Sequence, residues 1–171
     1  MVSPQFDFKQ GRLIGAEALI RWRHHSKGMI SPAVFIPLFE KSGIISSLDK
    51  YVFERACADL QRWQAMSPDG SSLPLSVNLS RKDLYRTNLC SRLDEILNEH
   101  GLSASDINLE ITESAYIDSS KVFLDNISKL RNMGFRVEMD DFGSGYSSLN
   151  SLKDISIDKL KLDMKFIAGT A

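Results

Sequence analysis

A small set of polar side chains interrupts otherwise apolar runs, and their types define the chemistry within reach. They are Glu17 and Arg21 in LIGAEALIRW, Asn78 in LSVNL, and Glu110 and Glu113 in INLEITE. Asp140 and Asp141 close FRVEMDD, and Lys161 and Asp163 lie in KLKLDMKF. A glutamate buried mid-strand is costly without a partner, and adjacent carboxylates repel unless a cation or a proton offsets them. Each residue taken singly has a local explanation: a Glu17–Arg21 ion pair, Asn78 as a helix cap, Asp140-Asp141 as a solvated turn. Packing does not explain acids, an amide and a lysine on successive segments, because the repulsion among the acids would stay uncompensated. Hard oxygen donors without Cys or His point to Mg²⁺ or Mn²⁺. Adjacent acids suit a pair of such ions, which activate water and stabilise an in-line displacement at phosphorus. Arg21 and Lys161 would then meet phosphate oxygens or, for Lys161, the attacking water.

The elements that must position these groups alternate. Pro4 to Phe8 reads as a short strand, followed by a strand over Leu13 to Trp22 on which Glu17, Leu19 and Arg21 share a face. His24 and His25 fall in a polar loop reaching Gly28. Ser31-Pro32 opens a helix closed by Gly43, and Ser46 with Asp49 forms a capping-box pattern for the next. Val52, Ala56, Leu60 and Trp63 form its core-facing stripe. Strands follow at Leu75–Leu79, Ile107–Thr112, Arg136–Met139 and Lys159–Phe166. Between them lie a helix bearing Leu89, Leu93, Ile96 and Leu97 and ended by Gly101, and a helix capped by Asp118 or Ser119 and ended by Gly134. Such alternation implies a parallel sheet covered by helices. The polar residues sit near the C-terminal ends of their strands, which in barrels is the rim that carries active sites.

Composition bounds the rest. The chain has 171 residues with 21 Lys+Arg against 22 Asp+Glu, so broad binding of a nucleic-acid polymer is not expected. No apolar run approaches the roughly 20 residues that span a bilayer, and no signal peptide opens the chain. Cys57 and Cys90 lack metal-type spacing, and Cys57 reads as a reduced core thiol, consistent with a cytoplasmic location.

The motifs as a set resemble those of the EAL family of cyclic-di-GMP phosphodiesterases: Glu17-Ala18-Leu19, Val77-Asn78-Leu79-Ser80, Leu109-Glu110-Ile111-Thr112-Glu113, Asp140-Asp141-Phe142-Gly143-Ser144-Gly145-Tyr146-Ser147-Ser148-Leu149, and Lys159-Leu160-Lys161-Leu162-Asp163. The resemblance covers essentially the whole chain. It implies an α/β fold of TIM-barrel type, a modified (β/α)8 barrel whose first strand is antiparallel to the rest. It also implies metal-dependent hydrolysis of cyclic-di-GMP to linear pGpG. Glu17, Asn78, Glu110 and Asp140 are then expected to ligate a first Mg²⁺ or Mn²⁺, and Asp140 and Asp141 a second. Lys161 would orient catalytic water and Asp163 support it or the metal; Glu17 and Asp141 join Lys161 as the catalytic set. Arg21 would grip a phosphate, with Leu19 and Asp163 also counted among the substrate-binding residues, and Glu113 would anchor the loop from Phe142 to Leu149.

Against that pattern, residues 1–171 read as a single domain that stops after the sixth strand, whereas a barrel of this type takes roughly 250 residues. The family's seventh-strand glutamate, a second-metal ligand and general base, and its eighth-strand glutamine have no counterpart here, and the usual Gln-Pro entry appears as Ser3-Pro4. An unclosed barrel exposes a strand edge and apolar faces, so the expectation is a marginally stable chain or a homodimer or higher oligomer. The alternatives are a cyclic-di-GMP receptor that binds without hydrolysis and an inactive fragment. Without the resemblance, the runner-up is an enolase-like metal enzyme.

Overall fold

The computed structural model describes residues 1–116, 120–143 and 157–163. Its main sheet has six strands: β1 (Val2–Asp7), β2 (Arg12–Ala18), β5 (Leu75–Asn78), β6 (Ile107–Thr112), β7 (Arg136–Phe142) and β8 (Lys159–Leu162), in that spatial order. A two-stranded ribbon, β3 (Trp22–His24) and β4 (Gly28–Ile30), stands apart from it. β1 runs antiparallel to β2, and every later neighbour in the main sheet is parallel, as the resemblance implied. Helices α1 (Pro32–Ser42) and α2 (Ile45–Met66) cross from β2 to β5; α3 (Arg81–Leu84) and α4 (Leu89–His100) cross from β5 to β6. The one-turn α5 (Glu113–Tyr116) and then α6 (Lys121–Met133) lead from β6 to β7.

The sequence explains the layering. Five of the six β6 residues are buried, the mark of a strand covered on both faces in a parallel sheet. On α2, Phe53, Ala56, Cys57 and Leu60 recur at helical spacing and are almost fully buried against β5. Phe123, Ile127 and Leu130 do the same for α6. Gly43, Gly101 and Gly134 close α1, α4 and α6 in the left-handed conformation.

Side chains of β8 reach those of β1 and β2, so the sheet curls into an open half barrel. Lys159 Nζ donates to Gln5 Oε1 at 3.2 Å on β1 and lies 3.3 Å from Glu138 Oε1 on β7. β1 and β8 are the two ends of the sheet order, and each has one strand neighbour among the described residues.

Several local expectations are corrected. The stretch from Leu13 to Trp22 is not one strand: β2 ends at Ala18, and Trp22 begins the ribbon, where its ring packs edge-on against Phe35 of α1 at 5.6 Å. The apolar character runs on across this break, beyond which Trp22 packs on α1. His24 accordingly lies in β3, its Nδ1 accepting from the Ser26 backbone N at 3.2 Å. Ser46 does not cap α2; it is buried one residue inside the helix, and Asp49 accepts instead from the Ser80 backbone N at 3.0 Å. Ser120, rather than Asp118 or Ser119, caps α6 by accepting from Phe123 N. The expected strand beyond Asp163 and the loop from Ser144 to Leu149 lie outside the described residues.

Candidate metal centre

Register gathers the polar residues. In the parallel pairing Asn78 stands opposite Glu110, Thr112 opposite Asp140, and Glu17 opposite Ser76. Glu17, Asn78, Glu110 and Asp140 therefore converge at one rim of the half barrel, and one oxygen from each of Glu17, Glu110 and Asp140 lies within 4.8 Å of the others. Asn78 Nδ2 donates to Glu17 Oε1 at 3.3 Å and to Glu110 Oε2 at 3.5 Å. Asn78 does not cap a helix: Ser80 Oγ caps α3 by accepting from Asp83 N.

Lys161 enters the cluster from β8. Its Nζ lies 3.3 Å from Glu17 Oε2 and 3.9 Å from Asp140 Oδ2, and it contacts Glu110 Oε1. Glu17 is thus paired with Lys161 rather than with Arg21. Burial pushes the Glu110 carboxyl well up from its ordinary value; Lys161 opposes this, while Glu17 and Asp140 push the same way as burial. Burial by itself would lower the Lys161 ammonium, but contact with Glu110 and the charges of Asp140 and Glu17 outweigh it and hold it above the ordinary lysine value.

The other expected site residues stand around this centre. Asp141 follows the cluster on a left-handed backbone (φ 56°), a strained conformation for a non-glycine residue. Its N–H donates to Asp140 Oδ1 at 3.0 Å. The Asp141 carboxyl is pushed up by burial, then by the nearby charges of Asp140 and Asp163. Asp163 is half-buried, its N–H bonded to Phe142 O at 3.1 Å. Glu113 is buried, with its Oε2 accepting from Gly143 N at 2.9 Å; Gly143 itself adopts φ 91°, a conformation that favours glycine. Leu19 is held by main-chain hydrogen bonds to Met1. Arg21 is exposed, and its Nη1 donates to Ile20 O at 2.8 Å. Asp141, Asp163 and Arg21 thus lie outside the tight oxygen cluster.

A cavity of about 570 Å³ opens on this centre. Glu17, Asn78, Asp140 and Arg21 line it together with the apolar Leu19, Ile36, Leu48, Val52 and Leu79. Asp49, Ser80 and Arg81 also line it. The sequence marks none of the three as a site residue, though Asp49 falls in a capping pattern and Ser80 ends the motif around Asn78. A serine and an arginine at a helix start are ordinary. Burial raises the Asp49 carboxyl to about 6, although its hydrogen bonds to Ser80 pull the other way. No motif announces that environment.

The donor chemistry fits a hard divalent cation. Three carboxylates and a carboxamide, whose oxygen can be presented by turning the amide over, form an oxygen-rich set without soft ligands. A curled, mainly parallel sheet with acids converging at the C-terminal ends of its strands is a barrel-type scaffold of the TIM kind, seen here over six strands.

Residues 2–171 match the sequence profile of the EAL domain, and the chain belongs to that family. It is 34% identical over 168 residues to a cyclic di-GMP phosphodiesterase of Pseudomonas aeruginosa, covering 98% of this chain and 28% of that protein. It is 36% identical over 157 residues to the bifunctional diguanylate cyclase/cyclic di-GMP phosphodiesterase MucR of the same organism, covering 92% of this chain and 23% of that protein. Among solved structures, the PaMucR phosphodiesterase in its c-di-GMP complex superimposes with a TM-score of 0.88 at 34% identity, over 99% of this chain and 68% of that one. These curated relatives are longer proteins, and this chain spans about a quarter of the length of each.

Proposed function

We propose that this chain supplies the catalytic core of a cyclic-di-GMP-specific phosphodiesterase that hydrolyses one phosphodiester bond to give linear pGpG. The observation that carries the reading is the convergence of Glu17, Glu110 and Asp140 oxygens within 4.8 Å, beside Asn78 and Lys161, at the edge of a cavity large enough for a nucleotide.

In this reading Glu17, Asn78, Glu110 and Asp140 hold one Mg²⁺ or Mn²⁺, and Asp140 with Asp141 serves a second. When bound, such ions activate water and neutralise charge developing at phosphorus. The chain's own side chains do the rest. Lys161, on the strand facing the acids, donates toward the attacking water or a phosphate oxygen. Asp163, one residue beyond β8, supports Lys161 or the metal. Arg21, on the cavity wall with Leu19, turns to a phosphate, for which its forked donors are suited. The apolar lining accepts a base, with Asp49 in the same cavity as an acceptor for base N–H groups. Glu113, through its bond to Gly143, anchors the loop that follows Asp141. Residues 1–171 belong to one EAL-type domain, which acts in the cytoplasm as a homodimer or higher oligomer.

The test is to incubate the chain with cyclic-di-GMP and Mn²⁺ or Mg²⁺, following linear product and equilibrium binding together. Turnover that Asp140→Asn abolishes is the expected result. Binding without turnover would make it a receptor, and absence of both would refute the reading. Size-exclusion chromatography giving a cooperatively melting monomer would remove the pairing.

A further inference from the structure

The acidic cluster is bridged by a cation of its own. Lys161 Nζ contacts Glu110 and lies 3.3 Å from Glu17 Oε2 and 3.9 Å from Asp140 Oδ2, which are the three residues whose oxygens converge within 4.8 Å. An ammonium has three N–H donors and no acceptor, and here three carboxylates from β2, β6 and β7 stand around one lysine from β8. Two residues earlier on β8 a second lysine meets a carboxylate of β7. Lys159 Nζ lies 3.3 Å from Glu138 Oε1 and donates to Gln5 Oε1, and Ser76 Oγ donates to Glu138 Oε2 at 3.4 Å. In that second group Glu138 is buried while Lys159 is exposed, whereas the Lys161 cluster borders the cavity through Glu17 and Asp140.

We infer that Lys161 is the built-in counter-ion of the cluster and competes with a divalent cation for the same three carboxylates, so that cation binding is an exchange in which the ammonium leaves Glu110. The inference rests on the metal-binding reading above. Two cations within about 4 Å of each other repel strongly in a partly buried site, so the ammonium and the divalent ion cannot share one set of oxygens. The divalent ion carries twice the charge and takes the carboxylates as ligands. The displaced lysine stays tethered to β8 and remains at the rim, within reach of a phosphate or an attacking water. β8 therefore presents two lysines to carboxylates, Lys159 to Glu138 away from the oxygen cluster and Lys161, the exchangeable one, within it.

The experiment is a calorimetric MnCl₂ titration of the full chain, with thermal melts, for the wild type, Lys161→Met, Lys161→Arg and Asp140→Asn. Removing the competing charge is expected to tighten Mn²⁺ binding by about tenfold or more, while lowering the melting temperature without Mn²⁺ and leaving it recoverable with Mn²⁺. Lys161→Arg, which keeps the charge, is expected to bind Mn²⁺ no more tightly than the wild type. If Asp140→Asn abolishes binding but Lys161→Met binds no more tightly than the wild type, the exchange is wrong and the metal site stands. If neither the wild type nor Lys161→Met binds Mn²⁺, both fall. Should Lys161→Met fail to fold, the wild type is treated with an amine-acylating reagent with and without MnCl₂, and Lys161 is followed by peptide mass spectrometry. Severalfold faster acylation with Mn²⁺ is expected, and an unchanged or slower rate overturns the exchange.

Discussion

Asp49→Asn is expected to stabilise the fold at neutral pH and to flatten its pH dependence. Burial raises the Asp49 carboxyl from 3.8 to about 6, its hydrogen bonds to Ser80 lower it, and the neighbouring Asp83 raises it again. The folded chain thus binds this proton more tightly than the unfolded chain. The stability this group contributes is complete below pH 3.8, falls as pH rises, and is gone above about 6. At about 1.4 kcal/mol per pH unit the ionised carboxylate costs up to about 3 kcal/mol at pH 7. Asp49 is only half-buried by its solvent exposure, so about 1–3 kcal/mol is the range to expect. Asparagine retains an oxygen to accept from Ser80 N, now 3.0 Å from the Asp49 carboxylate, and removes the charge. For a chain of this size each kcal/mol moves the melting temperature by about 2–4 °C, so the variant should melt several degrees higher at pH 7 and like the wild type near pH 4. The assay is thermal and urea unfolding of both proteins from pH 4 to 8. The difference between them cancels the other titrating carboxylates. Parallel stability curves across pH 4 to 6, or a variant less stable at pH 7, would refute the reasoning.

Further predictions concern the supports of the site. Asp83 is completely buried and paired with Arg92 and with the more exposed Arg86, so Arg92→Ala, which leaves Arg86 in place, is expected to cost about 1–3 kcal/mol in urea unfolding. A loss below about 1 kcal/mol would contradict that. Glu113→Ala removes the acceptor for Gly143 N, for an expected cost of about 1–3 kcal/mol and weaker cyclic-di-GMP binding; Glu113→Gln, which keeps an acceptor, should bind better than alanine in the same titration. Burial pushes the Cys57 thiol up to about 12, so native protein at pH 8 should resist alkylation at Cys57 until urea is added. Rapid native labelling would place that thiol outside the core.

Short-range patterns were legible where one physical cause dominated. The Leu60 stripe of α2, the Ser31-Pro32 start of α1 and the glycines that end three helices follow from periodicity and backbone geometry alone. Patterns with two competing causes misled. Ser46 and Asp49 have the spacing of a capping box, yet the helix begins earlier and Asp49 is drawn to Ser80, 31 positions away. The apolar run past Ala18 looks continuous, yet the strand ends there and Trp22, packed on Phe35, begins a separate ribbon.

The sequence by itself determined which residues could do the chemistry, because acids, an amide and a lysine at strand ends keep their character wherever the chain goes. It also determined the alternation of strands and helices that makes a parallel sheet. Tertiary structure alone decided which of these groups meet. Parallel register sets Asn78 beside Glu110, and the curl of the sheet brings Lys161 to Glu17, 144 positions away, while Arg21 and Asp163 stay at the margin. Such distances through space depend on strand pairing and on the packing of whole helices beneath it, and neither is written in any local stretch of residues.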